Sequence, residues 1–446
     1  MIWTWIKRTG ITAIVMFATA LVWGLLWPLE VHRIIGQSDY PPSYENSSKP
    51  FVGLALSGGG ARAALFGAAG MEALEKRGLL TDVTHISSVS GGGFPASYLA
   101  TNPVPDCTTV AYPKSCAAAY FQEMRQAVGR DFFGDLTKRQ LTKPWRIMRP
   151  SARLWSFQEA LDKGFLQNAT FGDIADDRAF FFNTVSYDTG QRFVFSNAAI
   201  PHPLTDDKNL LPSGVRALSF STPDMLLATP DDFPLSMAVA TSAAFPPYLG
   251  PLTLQFDMAG NSSPRYRHLG DGGVLENSGI ETLREVALSN GAEMPALIYA
   301  FDAGQSLNKD LSQNRLDISI FSADLSQFVD VLLSYAGAQR EAFFEELITR
   351  NGLQIEVKTF DYLNVENIVR APYANSLKWT SWTSWPEGCA AHSRDNSAPP
   401  FERLRDITTD LRISDCDAAL ITQAAGFLVE NCLRENPAKG CFARRD

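Results

Sequence analysis

Near its start the chain has a nearly continuous apolar run, then settles into short apolar segments divided by polar and glycine-rich ones. Residues 10–27 carry no charge, and Lys7 and Arg8 stand just before them. At about 1.5 Å of rise per residue, a helix over that run is roughly 27 Å long, close to the thickness of a hydrocarbon core. The pattern predicts a transmembrane signal anchor over residues 10–28, after a cytoplasmic segment 1–9. Basic residues ahead of the span place the N-terminus in the cytoplasm and the rest outside, in the periplasm if the host is Gram-negative. Ala18-Thr19-Ala20 offers a cleavage site for a signal peptide. Apolar sequence continues for seven residues beyond it, and Trp23 and Trp27 suit an interface, which favours an uncleaved anchor.

Residues 29–49 hold Pro41, Pro42, Ser47 and Ser48 and read as a linker. From residue 50 to about residue 304, strand-like and helix-like segments alternate. Helices are expected over 65–77, closed by Gly78, and over 94–100. A helical stretch 281–288 leads into a short buried strand at 296–301. Such alternation predicts an α/β sheet layered by helices. Further on, 325–350 and 418–433 look helical and 353–360 strand-like.

A net charge of −9 argues against a nucleic-acid partner. The informative chemistry sits where two apolar runs end in glycine turns. The first reads Leu56-Ser57-Gly58-Gly59-Gly60-Ala61-Arg62. Glycines let the backbone take positive φ and approach a substrate closely, and a turn that opens a helix carries unpaired N–H groups. The loop fits neither phosphate fingerprint. No Lys-Ser or Lys-Thr follows it, and the last glycine of Gly-x-Gly-x-x-Gly is missing. Binding of an oxyanion, or of another anion, remains.

The second turn reads Ser88-Val89-Ser90-Gly91-Gly92. It departs from the nucleophile-elbow pattern Gly-x-Ser-x-Gly only at Ser88, itself small. Among Ser87, Ser88 and Ser90, only Ser90 has glycine on its C-terminal side. The same residues also suit a plain tight turn. Far downstream, Asp271 stands between Gly270 and Gly272. Val274, Leu275 and Gly279 lack the alternating oxygen ligands of a calcium loop.

The order of these parts resembles the patatin-like phospholipase family, in the superfamily that includes cytosolic phospholipases and fungal phospholipase B. It runs from a Gly-Gly-Gly-x-Arg loop through a serine elbow to a distant Asp-Gly-Gly. Residues 180–196 read as two strands around Asp188-Thr189-Gly190-Gln191, as in that family. Ala240-Thr241-Ser242-Ala243-Ala244-Phe245-Pro246 and the pair Asp271 and Asn277 are similar too. The resemblance implies a three-layer fold with a central, mostly parallel sheet, a catalytic domain at 50–305, and a C-terminal extension at 306–446 packed on it. It implies a Ser-Asp dyad with Ser90 as nucleophile and Asp271 as base, needing no cofactor or metal. Gly58, Gly59, Gly60 and Gly91 would supply oxyanion donors, and Arg62 would steady the loop or meet a lipid phosphate. The activity implied is hydrolysis of fatty-acyl esters of phospholipids or lysophospholipids at a membrane surface. Alternatives are acyl transfer on the same machinery and a non-catalytic lipid-binding module.

Five histidines allow a Ser-Asp-His order through His392, but its polar surroundings give no elbow-like context. His85 and His268 read as structural. The six cysteines all follow the anchor and fit disulfides in an exported chain, with Cys107–Cys116 and Cys432–Cys441 suggested by spacing. Six basic residues between Lys138 and Arg153, with Trp145 and no acid, suit either anionic headgroups or an ordinary solvated face. Trp379, Trp382 and Trp385 suit core packing or an interfacial anchor.

Overall fold

A computed structural model describes residues 2–26, 29–35, 50–107, 113–201, 204–205, 208–209, 215–221, 225–257, 265–289, 295–304, 323–370, 385–387, 389, 399–435, 437 and 441–442. The strands are β1 (His32–Ile35), β2 (Phe51–Leu56), β3 (His85–Val89), β4 (Ala179–Ser186) and β5 (Arg192–Ser196). Short strands β6 (Ile200–Pro201), β7 (Leu204–Thr205), β8 (Lys208–Asn209), β9 (Phe220–Ser221) and β10 (Met225–Leu227) follow. They lead to β11 (Leu252–Asp257), β12 (Arg265–Asp271), β13 (Ala296–Asp302) and β14 (Ile355–Asp361). The helices are α1 (Ile2–Leu26), α2 (Gly60–Glu75), α3 (Gly93–Thr101), α4 (Pro113–Val128), α5 (Phe132–Thr142) and α6 (Pro150–Leu161). After them come α7 (Leu235–Ser242), α8 (Ile280–Ser289), α9 (Ala323–Arg350), α10 (Asn364–Val369), α11 (Pro400–Leu404) and α12 (Asp415–Cys432).

The fold is α/β, with a mixed sheet in the order β1-β11-β12-β4-β3-β2-β13-β14 and β5 paired to β4. From β4 to β14 all neighbours run parallel; β11 with β12, β12 with β4, and β4 with β5 are antiparallel. Strands buried on both faces read as continuous apolar runs rather than alternating ones, and the run Phe180-Phe181-Phe182 is an instance. Phe180 and Phe182, with Leu54, Leu56 and Phe301, join the main core beneath α2, α3 and α12. Phe181, with Ala55, Ile298 and Ala300, faces Ile280, Leu283 and Val286 of α8.

Helix α2 is apolar but for Arg62, Glu72 and Glu75, and every residue from Gly60 to Leu74 is buried. A helix of that kind belongs inside a protein, and here it lies between the sheet and α12. Gly70 makes this possible: a Cβ there would run into the Phe301 ring. The C-terminal part thus supplies β14 to the sheet, beside β13, and α12 to the core.

The N-terminal run is helical, but α1 begins at Ile2, so it takes in Lys7 and Arg8. Among the described residues, no helix is long and apolar enough to cross a membrane. The transmembrane span expected over residues 10–28 is thus not found among the described residues. The expected linker also starts differently. The β-branched run Val31-His32-Arg33-Ile34-Ile35 supplies β1, which pairs in parallel with β11 and buries Ile34.

The basic stretch from Lys138 to Arg153 is largely occupied within the fold. Glu159 of α6 receives Arg139 at 3.2 Å, Lys143 at 2.7 Å and Arg146 at 2.8 Å. Arg149 donates to Leu25 O at the end of α1, and Arg153 to Ile147 O and Pro247 O. Lys138 remains well exposed. The sequence window contained no acid because the acid that gathers these cations lies beyond it. Disulfides join Cys107–Cys116, Cys389–Cys416 and Cys432–Cys441. Trp385 packs against the main core; Trp379, Trp382 and His392 lie outside the described residues.

Hydrogen bonds from Lys143 and Arg146 hold the Glu159 carboxyl below its ordinary pKa against the opposing effect of burial. A depressed carboxyl stabilises the fold above its unfolded pKa, and that contribution fades as pH falls through the folded value. Glu159→Gln is therefore expected to lower the melting temperature at pH 7, with the gap to the parent closing on acidification below about pH 4. Thermal unfolding followed by circular dichroism across that range checks it.

Candidate active site

The site is set by how β4 shares one edge. Strand β3 pairs with β4 up to Val89 opposite Asn183. Strand β12 pairs with β4 from the other direction and ends with Asp271 opposite Thr184. Strand β5 pairs with Phe181 to Val185, overlapping both, so it holds the opposite edge. β3 and β12 therefore run head to head along one edge and stop at adjacent residues. The place Ser90 would take in a continued β3 is filled by Asp271. The chain must leave the sheet there, and Ser90 does so at φ 50°, a left-handed conformation rare for a non-glycine residue.

This turn brings the two predicted residues together. Ser90 Oγ donates a hydrogen bond to Asp271 Oδ2 at 3.2 Å. Asp271 is buried, whereas Ser90 is only partly so. Asp271 Oδ1 accepts the Gly273 N–H at 2.7 Å. Burial pushes the Asp271 carboxyl up to about 7, against smaller opposing effects of the Gly273 and Ser90 hydrogen bonds. A carboxyl so tuned can take a proton from a hydroxyl and return it near neutral pH.

The glycine loop lies directly against the elbow. A Cβ on Gly91 would collide with the backbone of Gly60, and one on Gly58 would come within 3.2 Å of Ser90 Cβ. The predicted donors are not equal, however. The Gly58 N–H is committed to Asn277 O at 2.9 Å, so it is not available to an oxyanion. Gly59, at φ 142°, precedes α2, and Gly60, at φ 60°, is its first residue. Their N–H groups lie at the positive end of the helix dipole. Of the predicted donors, Gly91 follows Ser90 directly and the Gly60 backbone packs against Gly91, with Gly59 next to Gly60.

Arg62 has a structural position. Its side chain is 1% exposed, and its guanidinium donates to Ala303 O at 3.0 Å, to Ile407 O, and to Thr409 Oγ1 at 3.0 Å. It pins the start of α2 to segment 407–410, whose Asp410 O also accepts the Ala61 N–H at 2.7 Å. A buried guanidinium with three acceptors is not placed to meet a lipid phosphate. His85 likewise fills the core, between the Phe51 and Phe181 rings, and burial pushes its imidazole down to about 4. Among the described residues, no group of three or more His, Cys, Asp or Glu is placed to hold a metal ion.

Three residues at the site had no assigned role in the sequence reading. Asn277 accepts the Gly58 N–H, Asn183 bonds to Ser87 and Ser88, and Ser242 bonds to the Ser90 N–H. Asn277 and Ser242 both fell inside recognised motifs. No local signal marked Asn183, since its function follows from strand register.

The sequence model of a family described as patatin-like phospholipase matches residues 54–284. No curated protein matches the chain significantly. Among solved structures, human GIVD cytosolic phospholipase A2 in complex with methyl gamma-linolenyl fluorophosphonate is 14% identical, with a TM-score of 0.44. That match covers 93% of this chain and 60% of the other, so the chain spans less than two thirds of the enzyme it matches. VipD from Legionella pneumophila is 13% identical, covering 71% of this chain and 61% of its own, with a TM-score of 0.27. ExoU of the Pseudomonas aeruginosa type III secretion system, bound to SpcU, is 17% identical, covering 66% and 53%, with a TM-score of 0.23.

Arg62→Ala would leave the carbonyls of Ala303 and Ile407 without their donor inside the protein. It should destabilise the chain by about 3 kcal/mol or more. Arg62→Lys should recover little, since an ammonium cannot reproduce the planar fork. Chemical denaturation of each variant measures the difference.

Proposed function

The chain belongs to the patatin-like phospholipase family, and from that membership we propose that it is a membrane-anchored serine lipid acyl hydrolase. Its substrates are fatty-acyl esters of phospholipids or lysophospholipids. The observation that carries this reading is the 3.2 Å contact between Ser90 Oγ and Asp271 Oδ2, beside the Gly59–Gly60 backbone.

Ser90 Oγ attacks the ester carbonyl carbon while Asp271 takes its proton. The carbonyl oxygen becomes an oxyanion, held by N–H groups of Gly59, Gly60 and Gly91. Collapse of the intermediate expels the lipid alcohol, which recovers the proton from Asp271. Water, deprotonated by the same carboxylate, then attacks the acyl carbon, and Asp271 returns that proton to Ser90 Oγ as the fatty acid leaves. A base with a pKa near 7 suits both directions of transfer, as it is neither too weak to accept the proton nor too strong to return it.

The anchoring part of the proposal draws on the charge-free residues 10–27 after Lys7 and Arg8. Exposure of Ile14, Val15, Met16 and Phe17 supports it. Four successive helical residues point in four directions about 100° apart. Lipid can cover a helix that is apolar on all sides, whereas a single protein groove covers one stripe. Under this reading the domain lies outside the cytoplasm, where the three disulfides are stable.

Ser90→Ala should abolish hydrolysis of a soluble monomeric ester without lowering the melting temperature, and a fluorophosphonate probe should label the parent at Ser90. Labelling of Ser88 instead would overturn the assignment.

Asp271→Asn should slow the reaction by about 100- to 10,000-fold. In the parent, kcat/KM should rise through about pH 7 as Asp271 ionises. Because the folded carboxyl has the raised pKa, its contribution to stability is full below about pH 4 and is lost as pH rises through 7. Asp271→Asn escapes that loss, so it should melt higher than the parent at pH 8 and alike at pH 4.

A reporter fused after Asp446 should be active when it requires export and silent when it requires the cytoplasm. The protein should stay with membranes through a high-salt wash, since apolar burial is insensitive to screening. A cytoplasmic reporter signal would sink the topology while leaving the chemistry standing.

A further inference from the structure

The break between β3 and β12 leaves the Ser90 N–H without a place in the ladder. It donates instead to Ser242 Oγ at 2.9 Å, and that hydroxyl donates to Asn183 O at 2.6 Å. One side-chain hydroxyl thus bridges the last residue paired with β3 and the residue that turns away. Ser242 is fully buried and is the last residue of α7. Two residues on, Ala244 O accepts the Asp271 N–H at 3.3 Å. The segment 242–244 therefore holds the backbone N–H of both residues whose side chains meet.

We propose that Ser242 is a positioning residue that holds Ser90 in its left-handed turn and so sets the Ser90–Asp271 separation. The proposal rests on Ser90 being the nucleophile. Residues at φ near +50° stay there only when their surroundings enforce it, and the Ser242 hydroxyl supplies a directional part of that enforcement. Asn183 supports the same end of β3, since its amide donates to Ser87 Oγ at 2.8 Å and to Ser88 O at 2.9 Å. Without the hydroxyl the elbow relaxes toward ordinary backbone, and Ser90 Oγ drifts from Asp271. The loss falls on the chemical step, because Ser242 contacts backbone and not the reacting ester.

The test uses the full chain carrying Ser242→Ala, and separately Ser242→Thr, which keeps the hydroxyl. A monomeric nitrophenyl ester gives kcat and KM, and hydrogen exchange of the peptide 85–94 reports on the turn. In the alanine variant kcat should fall about 10- to 100-fold with KM within about twofold, and the peptide should exchange faster. The threonine variant should stay within about threefold of the parent in both. Unchanged kcat and exchange in the alanine variant would overturn the proposal, as would a loss confined to KM. An alanine chain that fails to fold would make Ser242 merely structural and overturn it too. If the parent neither hydrolyses the ester nor reacts with a fluorophosphonate at Ser90, the acyl-hydrolase reading falls instead. Exchange of the peptide then still decides whether Ser242 holds the turn.

Discussion

One edge of β4 cannot pair twice at the same residue, and the arrangement of the site follows from that exclusion. β3 and β12 approach along this edge from opposite ends and halt at Asn183 and Thr184. Ser90 is forced out of the sheet, and Asp271 ends its strand under cover. Their side chains meet because the strands meet. The same exclusion explains why a helix-ending hydroxyl, Ser242, lies at the gap. A backbone N–H and a carbonyl had been left facing each other with no ladder between them.

Burying a carboxyl at this junction carries an energetic penalty that hydrogen bonds from Ser90 and Gly273 only partly offset. The reverse face of the sheet handles charge differently. There Arg192, 2% exposed, reaches Glu285 at 2.7 Å and Glu281 at 3.4 Å, and Arg340 also pairs with Glu281. These buried acids have guanidinium partners and organise packing. Asp271 has no such cation among the causes of its shift, and its pKa rises into the range useful for proton transfer. Burial raises Glu276 to about 7 as well, so what sets Asp271 apart is its contact with Ser90 Oγ rather than its pKa alone.

Much of this was legible in the sequence because the signals are local. Glycines 58–60 and the Ser90-Gly91-Gly92 turn follow apolar runs that could only be buried strands, and both turns stand where those runs predict. What the sequence concealed was contact at a distance. Whether Arg62 steadies the loop or meets a phosphate stayed open in the sequence because its acceptors lie at residues 303, 407 and 409. The basic run seemed free to meet headgroups because Glu159 lies beyond its end. Gly58 seemed a donor because nothing nearby in sequence announces that Asn277 O takes its N–H. The β-branched run beginning at Val31 was a local signal too, but the prolines after it made the whole stretch read as a linker.

The clamp on the glycine loop sets an order of events in the life of the chain. Arg62 is made early and its partners Ile407 and Thr409 late, within the stretch bracketed by the Cys389–Cys416 bridge. Until that stretch is synthesised, the Arg62 guanidinium lacks two of its three acceptors. The start of α2 can therefore reach its final hydrogen bonding only after most of the chain has been made. A chain cut short before residue 407 would keep both Ser90 and Asp271 yet lose the segment that clamps the loop beside them.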